Sequence, residues 1–130
     1  MEKQGNVSLW IGKINTEEDL NDYLKLVYTD DGESLPSPFL KDFEIELSDF
    51  DEDFIEAVFR GESVGNLECL IEGCSYDDIV IPLFGGKNRT VLPDKTNSAI
   101  LLYNFDYQGR KKEIRNKDYV FEYLGSVKYS

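Results

Sequence analysis

The chain of 130 residues contains no histidine, and this absence excludes several common kinds of active site. A Ser-His-Asp triad and a Cys-His pair both need an imidazole base. The usual zinc sites draw on histidine or on several cysteines, and only Cys69 and Cys74 are present. We therefore expect two reduced, partly buried thiols, with no disulfide framework, no zinc site and no cofactor.

Long apolar segments are also missing. No run approaches the roughly 18 apolar residues that indicate a membrane span. The first ten residues, MEKQGNVSLW, lack the apolar stretch of a secretion signal. The sequence thus predicts a cytoplasmic protein with no membrane partner. Its apolar fraction of 41%, with eight tyrosines, eight phenylalanines and one tryptophan, predicts a single packed domain over residues 1–130.

Basic residues are scarce in the first part of the chain. Residues 1–78 hold 21 acidic and 5 basic residues, whereas residues 79–130 hold 5 acidic and 9 basic residues, and the net charge is −12. Such a charge repels nucleic acid and anionic membranes and attracts basic protein surfaces. The alternative is that the acidic residues only keep the protein soluble.

The N-terminal half reads as alternating strand and helix. Period-2 alternation predicts a strand over residues 7–11. A cap at Thr16 and apolar residues at helical spacing predict a helix that continues to Tyr28. Ser37 and Pro38 predict the start of a short helix that ends near Phe43.

The rest of the chain is richer in strands. Residues 54–59 predict a strand, and Ser63 predicts the cap of a third helix that stops near Gly73. Residues 75–84 fit either a short helix or irregular structure, because β-branched residues and Pro82 oppose the capping signals. Three strands follow, at 99–107, 110–115 and 119–129, separated by turn signals.

Together these elements predict an α+β fold. We expect a mainly antiparallel sheet of four to five strands, a C-terminal meander, and helices packed on one face. Alternation places Trp10 across the sheet from Leu9, and it puts four aromatics of the last strand on one side, Tyr119, Phe121, Tyr123 and Tyr129. Most aromatics belong in the core, but Trp10 and Tyr103 are candidates for a partner-binding surface. Tryptophan and tyrosine rings favour positions where one end is buried and the polar end meets water.

The segment SDFDEDFIEAVF, residues 48–59, concentrates carboxylates among apolar residues. A calcium loop that began at Asp49 would need glycine at its sixth position and glutamate at its twelfth, where this chain has Phe54 and Arg60. A phosphate loop fails as well, because Gly86-Lys87 is followed by asparagine and no glycine stands five residues before Gly86. A pair of carboxylates acting as a hydrolase stays possible, although any acidic protein meets that composition.

Several segments in one order, SLWIG, SPFLKDFEIE, DEDFIEA, LLYNFDY and LGSVKY, resemble the bacterial Immunity protein 22 family over nearly the whole chain. The resemblance implies a small cytosolic α+β protein, encoded beside a polymorphic toxin, that neutralises the toxin by direct binding. It supplies no catalytic residue.

The sequence therefore predicts a non-enzymatic inhibitor of a cognate protein toxin, with a basic nuclease as one candidate and no nucleic-acid partner. A small carboxylate-dependent hydrolase and a generic acidic interaction module or nucleic-acid mimic are the alternatives. The predicted partner-binding residues combine two aromatics with the acidic segment: Trp10, Tyr103, Asp49, Asp51, Glu52, Asp53 and Glu56. The acidic residues would face a basic partner, and Ile55, Ala57 and Phe59 would point into the core.

Overall fold

A computed structural model describes residues 2–47, 52–87, 91–92 and 96–130. Two of the predicted binding residues, Asp49 and Asp51, lie outside the described residues. Glu52 begins a short 3-10 turn over Glu52–Phe54, and its side chain is likewise not described.

An antiparallel sheet of five strands forms the centre of the structure, in the order β4-β5-β1-β7-β6. The first four strands along the chain are β1 (Glu2–Ile14), β2 (Val27–Tyr28), β3 (Ser34–Leu35) and β4 (Ile55–Phe59). The last three are β5 (Ser98–Phe105), β6 (Glu113–Arg115) and β7 (Tyr119–Lys128). Strands β2 and β3 pair only with each other, in a small second sheet. The predicted α+β class and antiparallel sheet are confirmed.

Four helices occur in the described part of the chain: α1 (Glu17–Leu24), α2 (Pro38–Asp42), α3 (Leu67–Ile71) and α4 (Asp77–Gly86). Thr16 caps α1 as predicted, since its side chain accepts a hydrogen bond from the Asp19 amide. The predicted extension of this helix to Tyr28 is wrong, because the chain leaves the helix after Leu24 and forms the β2–β3 pair. Asn66, not Ser63, caps α3.

The predicted C-terminal meander is also wrong, because β1 lies between β5 and β7. Of the last three strands, only β6 and β7 pair with each other, as a hairpin. The reason lies in β1 itself, which buries Leu9 and Ile11 on one face and Trp10 and Ile14 on the other. A strand that is apolar on both faces suits the centre of this sheet, where helices cover both of its faces.

Helices cover both faces of the sheet, and not one face as predicted. The first core cluster packs α3 and α4 against one face and contains Val7, Leu9, Ile11, Leu67, Leu70, Ile71, Val80, Phe84 and Leu101. The second core cluster packs α1 and α2 against the other and contains Trp10, Leu20, Tyr23, Phe39, Leu40, Phe43, Ile100, Tyr107 and Phe121. The period of helix α1 alone does not report which sheet face it will contact, so this arrangement was not predictable from local pattern.

A β-bulge in β7 changes which aromatics share a face. Leu9 pairs with Gly125 while Trp10 pairs with Tyr123, so β7 carries one extra residue at this point. Gly125 has a φ of 152°, which suits glycine. Beyond the bulge the alternation is reversed, and Tyr129 packs against the first core cluster while Tyr123 packs against the second. The prediction that Tyr129 shares a side with Tyr123 is therefore wrong.

Candidate partner-binding groove

A groove of about 330 Å³ opens on the first-cluster side of the sheet, beside the start of β4. We call it the tyrosine groove, because three tyrosines line it. Its full lining is Asp53, Phe54, Ile55, Glu56, Ser75, Tyr76, Tyr103 and Tyr129. Three of the predicted binding residues, Asp53, Glu56 and Tyr103, thus come together at one place.

Two residues on neighbouring strands, Glu56 on β4 and Tyr103 on β5, form the floor of the groove. Glu56 pairs with Leu101 across β4 and β5, so the side chains of Glu56 and Tyr103 project from the same face, one diagonal step apart. The Tyr103 hydroxyl lies 2.8 Å from Glu56 Oε1 and 2.7 Å from the Ser75 carbonyl oxygen. The Ser75 amide donates to Glu56 Oε1 at 2.9 Å. These contacts fix one oxygen of Glu56 and tie β4 to the segment that precedes α4.

Two further tyrosines form the walls. Tyr76 directly precedes α4 in a left-handed conformation, with φ 59°, and half of its surface is exposed. Tyr129 follows β7, and its hydroxyl donates to Asn104 Oδ1 at 2.8 Å. The ring centroids of Tyr76 and Tyr129 are 4.7 Å apart, and those of Tyr103 and Tyr129 are 5.4 Å apart. The three rings therefore form one contiguous aromatic surface.

Burial keeps two groups in and beside the groove protonated, the Tyr103 phenol and the Cys74 thiol. Burial raises the pKa of Tyr103 well above its usual range, and the hydrogen bond to Glu56 raises it further. The phenol therefore stays a hydrogen-bond donor at neutral pH. Burial, with the charge of Glu56 as the second cause, raises the pKa of the Cys74 thiol to about 11. A thiol with that pKa is protonated near neutrality, which is unfavourable for nucleophilic chemistry.

Carboxylates continue from the groove across α3 and the start of α4. A shallow depression of about 310 Å³ is lined by Glu68, Glu72, Asp77, Asp78, Ile81 and Pro82. Arg60 lies close by, but its guanidinium donates to the carbonyl oxygens of Leu70 and Glu72. We call this depression and the carboxylates of the groove the acidic face. Basic residues gather instead at the opposite edge of the sheet, around β6, where these are exposed: Arg110, Lys111, Lys112, Arg115 and Lys117.

Trp10 does not belong to this surface. It is fully buried in the second core cluster, where its ring contacts Phe39, Phe43, Tyr107 and Tyr123. Its position across the sheet from Leu9 is as predicted, but helices α1 and α2 cover that face. A ring with no exposed surface cannot contact a partner, so the prediction of Trp10 as a binding anchor is corrected.

The side chains of strand β4 follow the predicted pattern in part. Ile55 and Phe59 pack against the second core cluster, whereas Ala57 between them is exposed. Glu56 is half-buried and hydrogen-bonded, not freely solvated. The register places Val58 on the same face as Glu56, against the first core cluster.

Sequence reasoning missed Tyr76 and Tyr129 as groove residues. Strict alternation places Tyr129 on the wrong face, whereas the glycine in LGS is a signal for a bulge inside a strand. Tyr76 stands between a possible cap, Ser75, and two acids, Asp77 and Asp78, and that pattern marks an exposed helix start.

Two other features are absent from the part of the chain that the structure describes. No group of three or more cysteine, aspartate or glutamate side chains there is placed to hold a metal ion. None of the helices is long and apolar enough to cross a membrane.

Comparison with known proteins gives one match. A family model described as Immunity protein 22 matches residues 7–130. The chain belongs to the Immunity protein 22 family. Searches of curated proteins and of solved structures found no significant match. Membership supports a role in toxin immunity and suggests a non-enzymatic inhibitor.

Proposed function

We propose that this Immunity protein 22 family member is a cytoplasmic protein that neutralises a cognate toxin by binding it through the tyrosine groove and the acidic face. One observation carries the proposal. Asp53, Glu56 and Tyr103, separated by up to fifty positions in the sequence, meet in a groove whose rim exposes half of Tyr76. The acidic face around the groove favours a toxin with a basic surface.

The groove and the acidic face would contribute differently to binding. Tyr76 and Phe54 both line the groove, and they expose 50% and 43% of their surface. Exposed aromatics at the centre of an interface are typical hot spots, and their removal mainly speeds dissociation. Carboxylates at the rim mainly raise the association rate through long-range attraction. An inhibitor that must capture its target quickly benefits from both.

The direct test uses the reading frame that lies next to this gene. The protein it encodes should be toxic when expressed alone, and co-expression of this chain should restore growth. The two purified proteins should form a stable complex. A neighbouring protein that is toxic, yet neither binds this chain nor is neutralised by it, would refute the proposal.

Charge steering can be tested separately by reversing two acids before β4. Glu52→Lys with Asp53→Lys should slow association with the toxin and flatten its dependence on salt, because surface charges attract a partner less as ionic strength rises. The matched control is Asp30→Lys with Asp31→Lys, which makes the same charge change in the exposed turn between β2 and β3. Equal association rates for the two double variants across a salt series would mean that the acids before β4 do not steer binding.

A further inference from the structure

The floor of the tyrosine groove has more hydrogen-bond acceptors than donors. The Tyr103 hydroxyl carries one proton but lies within hydrogen-bond distance of both Glu56 Oε1, at 2.8 Å, and the Ser75 carbonyl oxygen, at 2.7 Å. It can donate to only one of them at a time. Glu56 Oε1 also accepts from the Ser75 amide, whereas Glu56 Oε2 has no hydrogen-bond partner among the described residues. Among these groups, acceptors therefore outnumber donors.

The walls of the groove favour positive charge. Tyr76 lies 4.7 Å from Tyr129 and 5.9 Å from Tyr103, measured between ring centroids, and both pairs are tilted by about 50° and not stacked flat. Rings tilted in this way do not cover each other's faces fully. The face of an aromatic ring is electronegative and attracts a cation placed within about 6 Å of its centre.

We propose that the tyrosine groove receives a single cationic side chain, an arginine or a lysine, that projects from the partner protein. This inference rests on the proposed function and names the chemistry that the partner brings. The charged group would donate to Glu56 Oε2 and to whichever acceptor Tyr103 leaves free, while its stem packs against Tyr76 and Tyr129. Asp53 at the rim adds a second negative charge. A planar guanidinium supplies five donors and an ammonium three, so arginine satisfies more of the free acceptors.

The first experiment uses small peptides in place of the partner. Acetyl-Gly-Arg-Gly-amide, its lysine counterpart and its citrulline counterpart are titrated into the protein at low salt, with the ring resonances of the tyrosines followed by NMR. Arginine should produce saturable shifts of Tyr76, Tyr103 and Tyr129, with a dissociation constant on the order of millimolar. Lysine should bind in the same place and more weakly. Citrulline has the shape of arginine without the charge and should not bind.

Two variants test the assignment of the groove. Glu56→Gln keeps the oxygen that accepts from Ser75 and Tyr103 but removes the charge, and Tyr76→Asn removes a wall while suiting the left-handed backbone at that position. Each should weaken arginine binding roughly tenfold. The control is Tyr28→Asn, which removes a tyrosine that is 58% exposed in β2, outside the groove. Unchanged shifts of the Trp10 ring would report an intact core in all three.

Several outcomes would overturn the inference. Equal binding of citrulline and arginine would remove the role of charge. Shifts confined to Tyr23 and Tyr119, which line a different cavity, would place the cation elsewhere. Full affinity of Glu56→Gln and Tyr76→Asn for a toxin that the wild type neutralises would overturn this inference and the role of the groove in binding, while neutralisation of the toxin by this protein would stand. Failure of the wild type to bind the toxin would overturn the proposed function. The peptide titration would still show whether the groove binds a cationic side chain.

Discussion

The two faces of the sheet each carry a tyrosine–carboxylate site, and the two sites are built in opposite ways. On the second-cluster side, Asp42 Oδ2 accepts hydrogen bonds from both Tyr23 and Tyr119, each at 3.0 Å. Two donors meet one carboxylate there. On the first-cluster side, the single proton of Tyr103 faces two acceptors, Glu56 and the Ser75 carbonyl.

Cavity size and the balance of hydrogen-bond donors and acceptors rank these two sites differently. The cavity beside Tyr23 and Tyr119 is the larger, at about 400 Å³ against about 330 Å³ for the tyrosine groove. Yet Tyr23 is only 3% exposed and stacks on Phe121, with ring centroids 5.0 Å apart. The shared acceptor Asp42 ties α1 and α2 to the sheet, whereas in the groove acceptors outnumber donors. Counting donors against acceptors separates the two.

The largest loss of stability should come from truncating a side chain in the second core cluster. Trp10→Ala removes the ring at the centre of the second core cluster and should lower the free energy of unfolding by about 3–5 kcal/mol, because a buried aromatic leaves a large cavity. Urea denaturation measures this loss. Trp10→Phe should cost much less, since it keeps a ring and removes an Nε1–H that has no hydrogen-bond partner among the described residues. Similar midpoints for wild type and Trp10→Ala would contradict the buried position.

The two carboxylates should differ when each is removed. Asp42→Ala leaves the Tyr23 and Tyr119 hydroxyls without their acceptor and should cost about 1–3 kcal/mol of unfolding free energy. Glu56→Ala should cost less, because Tyr103 can still donate to the Ser75 carbonyl. Urea midpoints of the two variants make the comparison. A larger loss for Glu56→Ala would mean that the groove, and not the Asp42 site, is the structural one.

Alkaline pH should weaken both sites at once. Burial raises the pKa of Tyr23 and of Tyr103, and the neighbouring carboxylates add to it. Since an unfolded tyrosine ionises near pH 10 and these two do not, their contribution is complete below about pH 10 and is lost as the pH rises further. Each such tyrosine lowers the free energy of unfolding by about 1.4 kcal/mol per pH unit above that point.

Urea midpoints between about pH 9 and 11.5 measure this loss. Tyr23→Phe and Tyr103→Phe should each make the decline with pH shallower, because each removes one ionisable group. A variant that declines as steeply as the wild type would show that its tyrosine is not protected in the folded state.

The smallest effect should be that of metal ions. The acidic segment misses the glycine and glutamate of a calcium loop, so neither site should depend on a metal. The melting temperature should be the same in excess chelator and in millimolar calcium. A saturable rise with calcium would contradict this, because a ligand that binds only the native state stabilises it.

Local pattern was enough to predict most elements of this fold. The strand at Val7–Ile11, the cap at Thr16, the short helix after Ser37 and the strand before Arg60 all rest on signals within a few residues. Residues 75–84, whose sequence fits either a short helix or irregular structure, are largely helical, in α4, despite Pro82. The helix there is fixed by the burial of Val80 and Phe84 against the sheet, which local propensity does not report.

What could not be predicted depends on contacts between distant parts of the chain. The place of β1 between β5 and β7 is set by pairing over about a hundred residues. The groove needs that same pairing, since Tyr129 follows β7 while Glu56 lies on β4 at the edge of the sheet. Acidic and aromatic composition singled out Glu56, Asp53 and Tyr103, but it could not separate them from the buried Trp10.

The central place of β1 also determines when the sheet can form during synthesis of the chain. Val7 pairs with Tyr103 on one side and with Val127 on the other. A ribosome releases the N-terminal strand long before its second partner exists, so the sheet cannot close until almost the whole chain has been made. Folds dominated by such distant pairings close slowly compared with helical proteins of similar size. For the proposed neutralisation, this closure sets the earliest moment at which protection of the cell can begin.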